Sequence, residues 1–173
     1  TPASPLPPSH ATIPGMDPLA EYRARLIARA ESLVADCADA VAATPEERWH
    51  LPLAPGRSPP HEIMARLRDF EAFFQTDRLE PLLRAEHPDL GPRWENNHYQ
   101  PDEPMEDILR DFARLRESLL VQLREFTPAE WSRAGRHQWH GLRTVQWWVE
   151  RLVALNEERV RELRTYEEIQ DGR

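Results

Sequence analysis

A chain of 173 residues with 40% apolar content holds enough material for one sizeable core and too little for two large ones. A formal charge of -8, with no basic stripe carrying interleaved aromatics, argues against direct nucleic-acid binding. No apolar run is long enough to cross a bilayer, and the start lacks a basic and apolar signal, so no membrane association and a cytoplasmic address are expected.

Residues 1–16 are rich in proline, which removes backbone donors and disfavours helix, so they read as an extended arm preceding a single domain over 17–173. Met16 is a candidate start. Asp17 and Pro18 supply an N-cap and a first-turn proline, and Leu26, Ala30, Leu33, Cys37 and Val41 then recur at helical spacing, predicting a first helix over roughly 18–43. Thr44 lies three residues before Glu47, the spacing of a capping box. Ser58-Pro59 predicts the start of a second helix, whose apolar stripe runs Ile63, Leu67, Phe70, Phe74 until Pro81 kinks or ends it.

Between His87 and Pro104 helical periodicity disappears, predicting a long crossover that lets the second and third helices run parallel. The third helix carries Ile108, Phe112, Leu115, Leu119, Leu123 and Phe126, followed by a second capping box from Thr127 to Glu130. Gly135 and Gly141 bracket a loop. Thr144 then opens a fourth helix with Val145, Trp148, Leu152 and Leu155 on one face, ending before Asp171-Gly172. Period-two runs of β-branched residues are absent, so the fold class is all-α, a closed bundle of four helices.

Reactive chemistry is sparse. Every basic residue is arginine, which excludes a lysine nucleophile, and the lone cysteine, Cys37, reads as a small buried hydrophobe. No nucleophile elbow, phosphate-cradling glycine loop or His-Glu-x-x-His sequence is present. The anomalies are arginines on apolar stripes. Four residues beyond Leu155 stands Arg159, and three beyond Ile63 stands Arg66. Either they line a polar pocket, with Asp69, Glu71 and Glu158 as candidate partners, or they carry their charge outward over the core.

The segments SPPHEIMARLRDFE, AEHPDLGPRW and the stretch from LRDFARLRESLL through TPAEW to WWVERLVALNEERVREL together resemble the DinB-like superfamily, broadly its branch related to bacillithiol transferases. The resemblance covers nearly everything after Met16. It implies an up-down-down-up four-helix bundle, often a homodimer, and in many members a divalent metal held by three histidines. The corresponding positions here are Arg66 on the second helix and Leu155 and Arg159 on the fourth, none of which supplies a neutral imidazole. No His-x-x-x-His pair occurs on the last helix. The expectation is a site with neither metal nor other cofactor.

His137 and His140 are candidates for a rebuilt metal site, although the flanking glycines favour a loop. His61, near a helix start, and His50, His87 and His98, in or near connections, read as solvent-facing. Six tryptophans, among them Trp94, Trp131, Trp139, Trp147 and Trp148, either shape a ligand site or plug the bundle end and a dimer surface. The leading reading is a metal-free binding protein. Its candidate pocket comprises Arg66, Glu71, His137, Trp148, Leu155 and Arg159, and it takes a small anionic ligand or a protein partner. The alternatives are a divergent metal-dependent thiol transferase or hydrolase, and a stress-linked interaction scaffold.

Overall fold

The computed structural model describes residues 17–91 and 99–171; the arm over 1–16, Trp94, His98 and Gly172 lie outside them. Helix α1 spans Pro18–Ala42, and Asp17 caps it by accepting a hydrogen bond from the Leu19 N–H at 3.1 Å. Its apolar series from Leu26 to Val41 is buried. Thr44 caps no helix. Its hydroxyl donates back to the Ala40 carbonyl, while the short 3-10 turn Glu46–Arg48 begins from Pro45 without a side-chain cap.

Helix α2, Pro60–Phe73, starts from Pro59, so Ser58 is one residue outside its cap and makes no capping bond. The helix widens into a π turn over Phe74–Leu79 and resumes as α3, Glu80–Arg84. Pro81 therefore neither breaks nor ends it there: the proline falls in the first turn of α3, where its missing N–H is tolerated after the wider turn. Helix α4 spans Met105–Glu125, and the short α5, Pro128–Ser132, carries both halves of the Thr127–Glu130 capping box.

The segment expected as a loop is an antiparallel hairpin, β1 (Ala134–His137) with β2 (Gly141–Thr144), in register from Ala134↔Thr144 to His137↔Gly141. Gly141 takes a left-handed φ of +68° where the second strand starts. Backbone bonds from Leu90 N–H to Arg136 O and from Arg136 N–H to Pro88 O tie the crossover to β1. Helix α6 follows over Val145–Asp171.

Cross-helix bonds fix the directions. His61 and Glu103 meet near the starts of α2 and α4, and Glu71 and Arg116 meet further along, so these two helices run parallel. Arg23 with Gln146 and Arg29 with Glu157 make α1 and α6 parallel as well. Tyr166, late in α6, donates to Ser58 O just before α2, and Arg124, late in α4, pairs with Glu31 of α1. The result is an up-down-down-up bundle. Its faces bury Leu26, Leu33, Met64, Phe112, Leu119, Leu152 and Leu163 together, at about 1.5–3 kcal/mol for each large side chain. Among the described residues no helix is long and apolar enough to cross a membrane.

Candidate functional site

Helices α2 and α6 leave between them a cavity of about 630 Å³, closed at one end by the hairpin. Side chains from α2 (Arg66, Phe70, Phe73), from the π turn (Arg78), from the hairpin region (His137, Trp139, His140) and from α6 (Trp148, Arg151, Leu155, Asn156, Arg159) line it. The walls are aromatic and aliphatic, and the charged groups among the lining residues are arginines, with no carboxylate. In a chain of net charge -8 this is a cationic enclave.

Arg66, His137, Trp148, Leu155 and Arg159 all line the cavity; Glu71 does not. Glu71 is wholly buried and accepts two hydrogen bonds from Arg116, at 2.7 and 2.8 Å. It is a core residue. Nor are Arg66 and Arg159 desolvated: each is almost half exposed and pairs along its own helix, Arg66 with Glu62 and Arg159 with Glu162. The partners expected for them, Asp69, Glu71 and Glu158, form none of these pairs; Asp69 instead accepts from Arg68. The carboxylate partners of Arg66 and Arg159 are mostly buried, but each arginine side chain keeps 44–45% of its surface exposed and has further N–H groups to offer an anion entering the cavity. Arg151 is exposed, has no ion pair among the described residues, and lies 5.7 Å from the Trp147 ring centre.

The stripe of α6 turns after Leu152. Asn156, four residues on, is 1% exposed and is followed by buried Val160 and Leu163, while Leu155 and Arg159 flank this line. The stripe drawn from the sequence through Leu155 is one position off and passes over Asn156. Both the oxygen and the nitrogen of its amide lack a hydrogen-bond partner among the described residues, as does the buried Nε1 of Trp148.

Arg78, which the sequence pattern also passes over, sits four residues beyond Phe74 on the α2 stripe. It is buried, donates to the carbonyls of Asp77 and Leu90, and lies over Phe73 at 4.5 Å, so it braces the π turn against the crossover. Burial pulls its guanidinium below the usual arginine range, against the opposing pull of Asp77.

His137 is buried and His140 half-buried, their rings stacked at 4.8 Å and both packed on Trp148. Burial lowers the His137 pKa, helped by Arg78, His140 and Arg151; burial and then Arg151, Arg143 and Arg78 do the same for His140. Neutral imidazoles can ligate metal, but rings stacked 22° from parallel aim their in-plane lone pairs along separate planes, and Nδ1 of His137 accepts the Trp139 N–H at 3.3 Å. Among the described residues no three His, Cys, Asp or Glu side chains come together as a metal-binding group. The three-histidine ligand set that the family resemblance implies does not fit the described side chains lining this cavity, whose polar groups are those of arginines, Ser58, Asn156, two tryptophans and two stacked imidazoles.

Elsewhere, His61 is not solvent-facing. It is buried, with Nδ1 3.0 Å from the Tyr99 hydroxyl and Nε2 2.6 Å from the Glu103 carbonyl, and so pins the end of the crossover to the start of α2. His50 and His87 are exposed. Trp131 is buried against Phe126 rather than facing a ligand, whereas Trp139, 63% exposed, stands over the cavity mouth. Burial pushes the Cys37 thiol up to about 12, which keeps it from acting as a nucleophile near neutral pH.

The sequence model of the DinB superfamily matches residues 36–159 of this chain. Among solved structures, the chain is similar to YfiT from Bacillus subtilis, described as a probable metal-dependent hydrolase with an unusual four-helix bundle topology. The TM-score is 0.77 at 15% sequence identity, with 94% of each chain covered. At that identity the likeness concerns the fold. Comparison with curated proteins gives no match.

Proposed function

The chain belongs to the DinB superfamily, and we propose that it is a metal-independent member that binds a small organic anion in the cavity between α2 and α6. The observation that carries this reading is the lining itself: Arg66, Arg151 and Arg159 line a largely apolar cavity, and among the described residues no carboxylate lines it. A guanidinium fork matches a carboxylate or phosphate, and Phe70, Phe73 and Trp148 offer surface to an apolar body. The volume of about 630 Å³ suits a small molecule better than a helix or strand of a partner.

Among the described residues the cavity lining holds no activated nucleophile, and no carboxylate orients its two imidazoles. Thermal melting with 3-phenylpropionate and with uncharged 3-phenylpropanol tests the reading. The acid should raise Tm and the alcohol should not, and the acid's effect should shrink in an Arg66→Gln, Arg159→Gln variant and at high salt. Equal effects of acid and alcohol, or none from either, would count against it.

A further inference from the structure

The charged rim does not account for Asn156. Its side chain is 1% exposed, lines the cavity, and has neither its Oδ1 nor its Nδ2 hydrogen-bonded to any described residue. A leucine there would continue the stripe of Leu152, Val160 and Leu163 at almost the same volume, without an unmet polar group. Orphaned buried polar groups are rare in folded proteins because each carries an uncompensated desolvation cost. Trp148, on the same helix and lining the same cavity, has a second such group in its indole N–H.

We propose that Asn156 is a specificity-determining residue that recognises an amide-like group of the bound anion. A primary amide presents one donor and one acceptor side by side. A bare carboxylate would satisfy Nδ2 but set its oxygens against Oδ1. A ligand primary amide, lactam or ureide, whose N–H and C=O lie on the same side, satisfies both in one cyclic pair. Arg159 lies three residues further along α6 and so occupies the same face as Asn156. The anionic group then sits close to the amide, and the apolar remainder extends along the helix toward Phe70, Phe73 and Trp148. The ligand class is an N-carbamoylated amino acid, or an organic acid with a primary amide or lactam in a like position. This rests on the anion reading and narrows it.

The test compares N-carbamoyl-L-phenylalanine with 3-phenylpropionate, which keeps the ring and the carboxylate and lacks the ureide. Binding of each is measured by calorimetric titration of the wild-type chain and of Asn156→Leu. On wild type the ureide-bearing anion should bind at least about tenfold more tightly, the worth of satisfying one buried polar pair. In Asn156→Leu that preference should vanish, while 3-phenylpropionate binds as before and the unliganded protein melts at a higher temperature. Equal affinities on wild type, or a preference that survives in Asn156→Leu, would overturn the role of Asn156 and leave the anion reading standing. Failure of both anions to bind wild type would overturn both. The wild-type comparison holds whether or not the variant folds.

Discussion

Arg116 and Glu71 face each other across the α2–α4 interface with two guanidinium–carboxylate bonds, at 2.7 and 2.8 Å, and no solvent reaches either side chain. A third bond, from Nη1 of Arg116 to the Ala30 carbonyl, ties α1 to the pair. Three of the four long helices are joined at this point. Such a pair stabilises little over an apolar replacement, but removing one member strands the other. Glu71→Ala should therefore cost about 3–5 kcal/mol in denaturant unfolding. The joint replacement Glu71→Leu, Arg116→Met should recover most of that loss. A double variant as unstable as the single would show that the pair itself, rather than the stranded charge, dominates.

Gly135 is required by packing. A Cβ there would lie 2.8 Å from Leu82 Cδ2 and 3.0 Å from Leu90, both buried core side chains. Gly135→Ala should push the hairpin away from α3 and the crossover, costing about 1–3 kcal/mol. Because the hairpin carries His137 and His140, the displacement should also weaken anion binding. A variant with unchanged stability and affinity would mean that the leucines yield freely.

The imidazoles of His137 and His140 are held below the ordinary histidine pKa, chiefly by burial and then by nearby arginines. Well above about pH 6.5 both are neutral whether the chain is folded or not, and they leave stability unaffected. As pH falls below that value the unfolded chain takes up these protons first, so stability declines until the folded-state values are reached. Proton NMR should show both resonances titrating below the ordinary midpoint, and a His137→Gln, His140→Gln variant should lose less stability between pH 7 and 5 than wild type. Midpoints at or above the ordinary value would contradict the burial of these rings.

Helix caps and stripes read well from the sequence where the signal is local. Asp17 and the Thr127–Glu130 box act within four residues of themselves, and the apolar series of α1 is continuous. Long-range partners are not legible in the same way. Arg116 occupies the buried place between Phe112 and Leu119 that the apolar pattern assigns to Leu115, because Glu71 lies 45 residues away to meet it. His61 is buried by Tyr99 and by a carbonyl from the crossover, 38 and 42 residues distant. The hairpin has no alternating β-branched run, and its first strand is fixed by main-chain bonds to Pro88 and Leu90. At the site, stepping α6 from Leu152 to Leu155 rather than to Asn156 hides the buried amide. Either step fits helical spacing, and only the packing of α6 chooses between them.

Whether the cavity takes an organic anion without a metal is tested most directly by calorimetric titration of chelator-treated wild-type protein with N-carbamoyl-L-phenylalanine. One equivalent should bind, with an affinity that falls as salt is added and is unchanged by zinc or nickel. Binding that appears only after one of these ions is supplied would contradict metal-free recognition and return the cavity to metal chemistry.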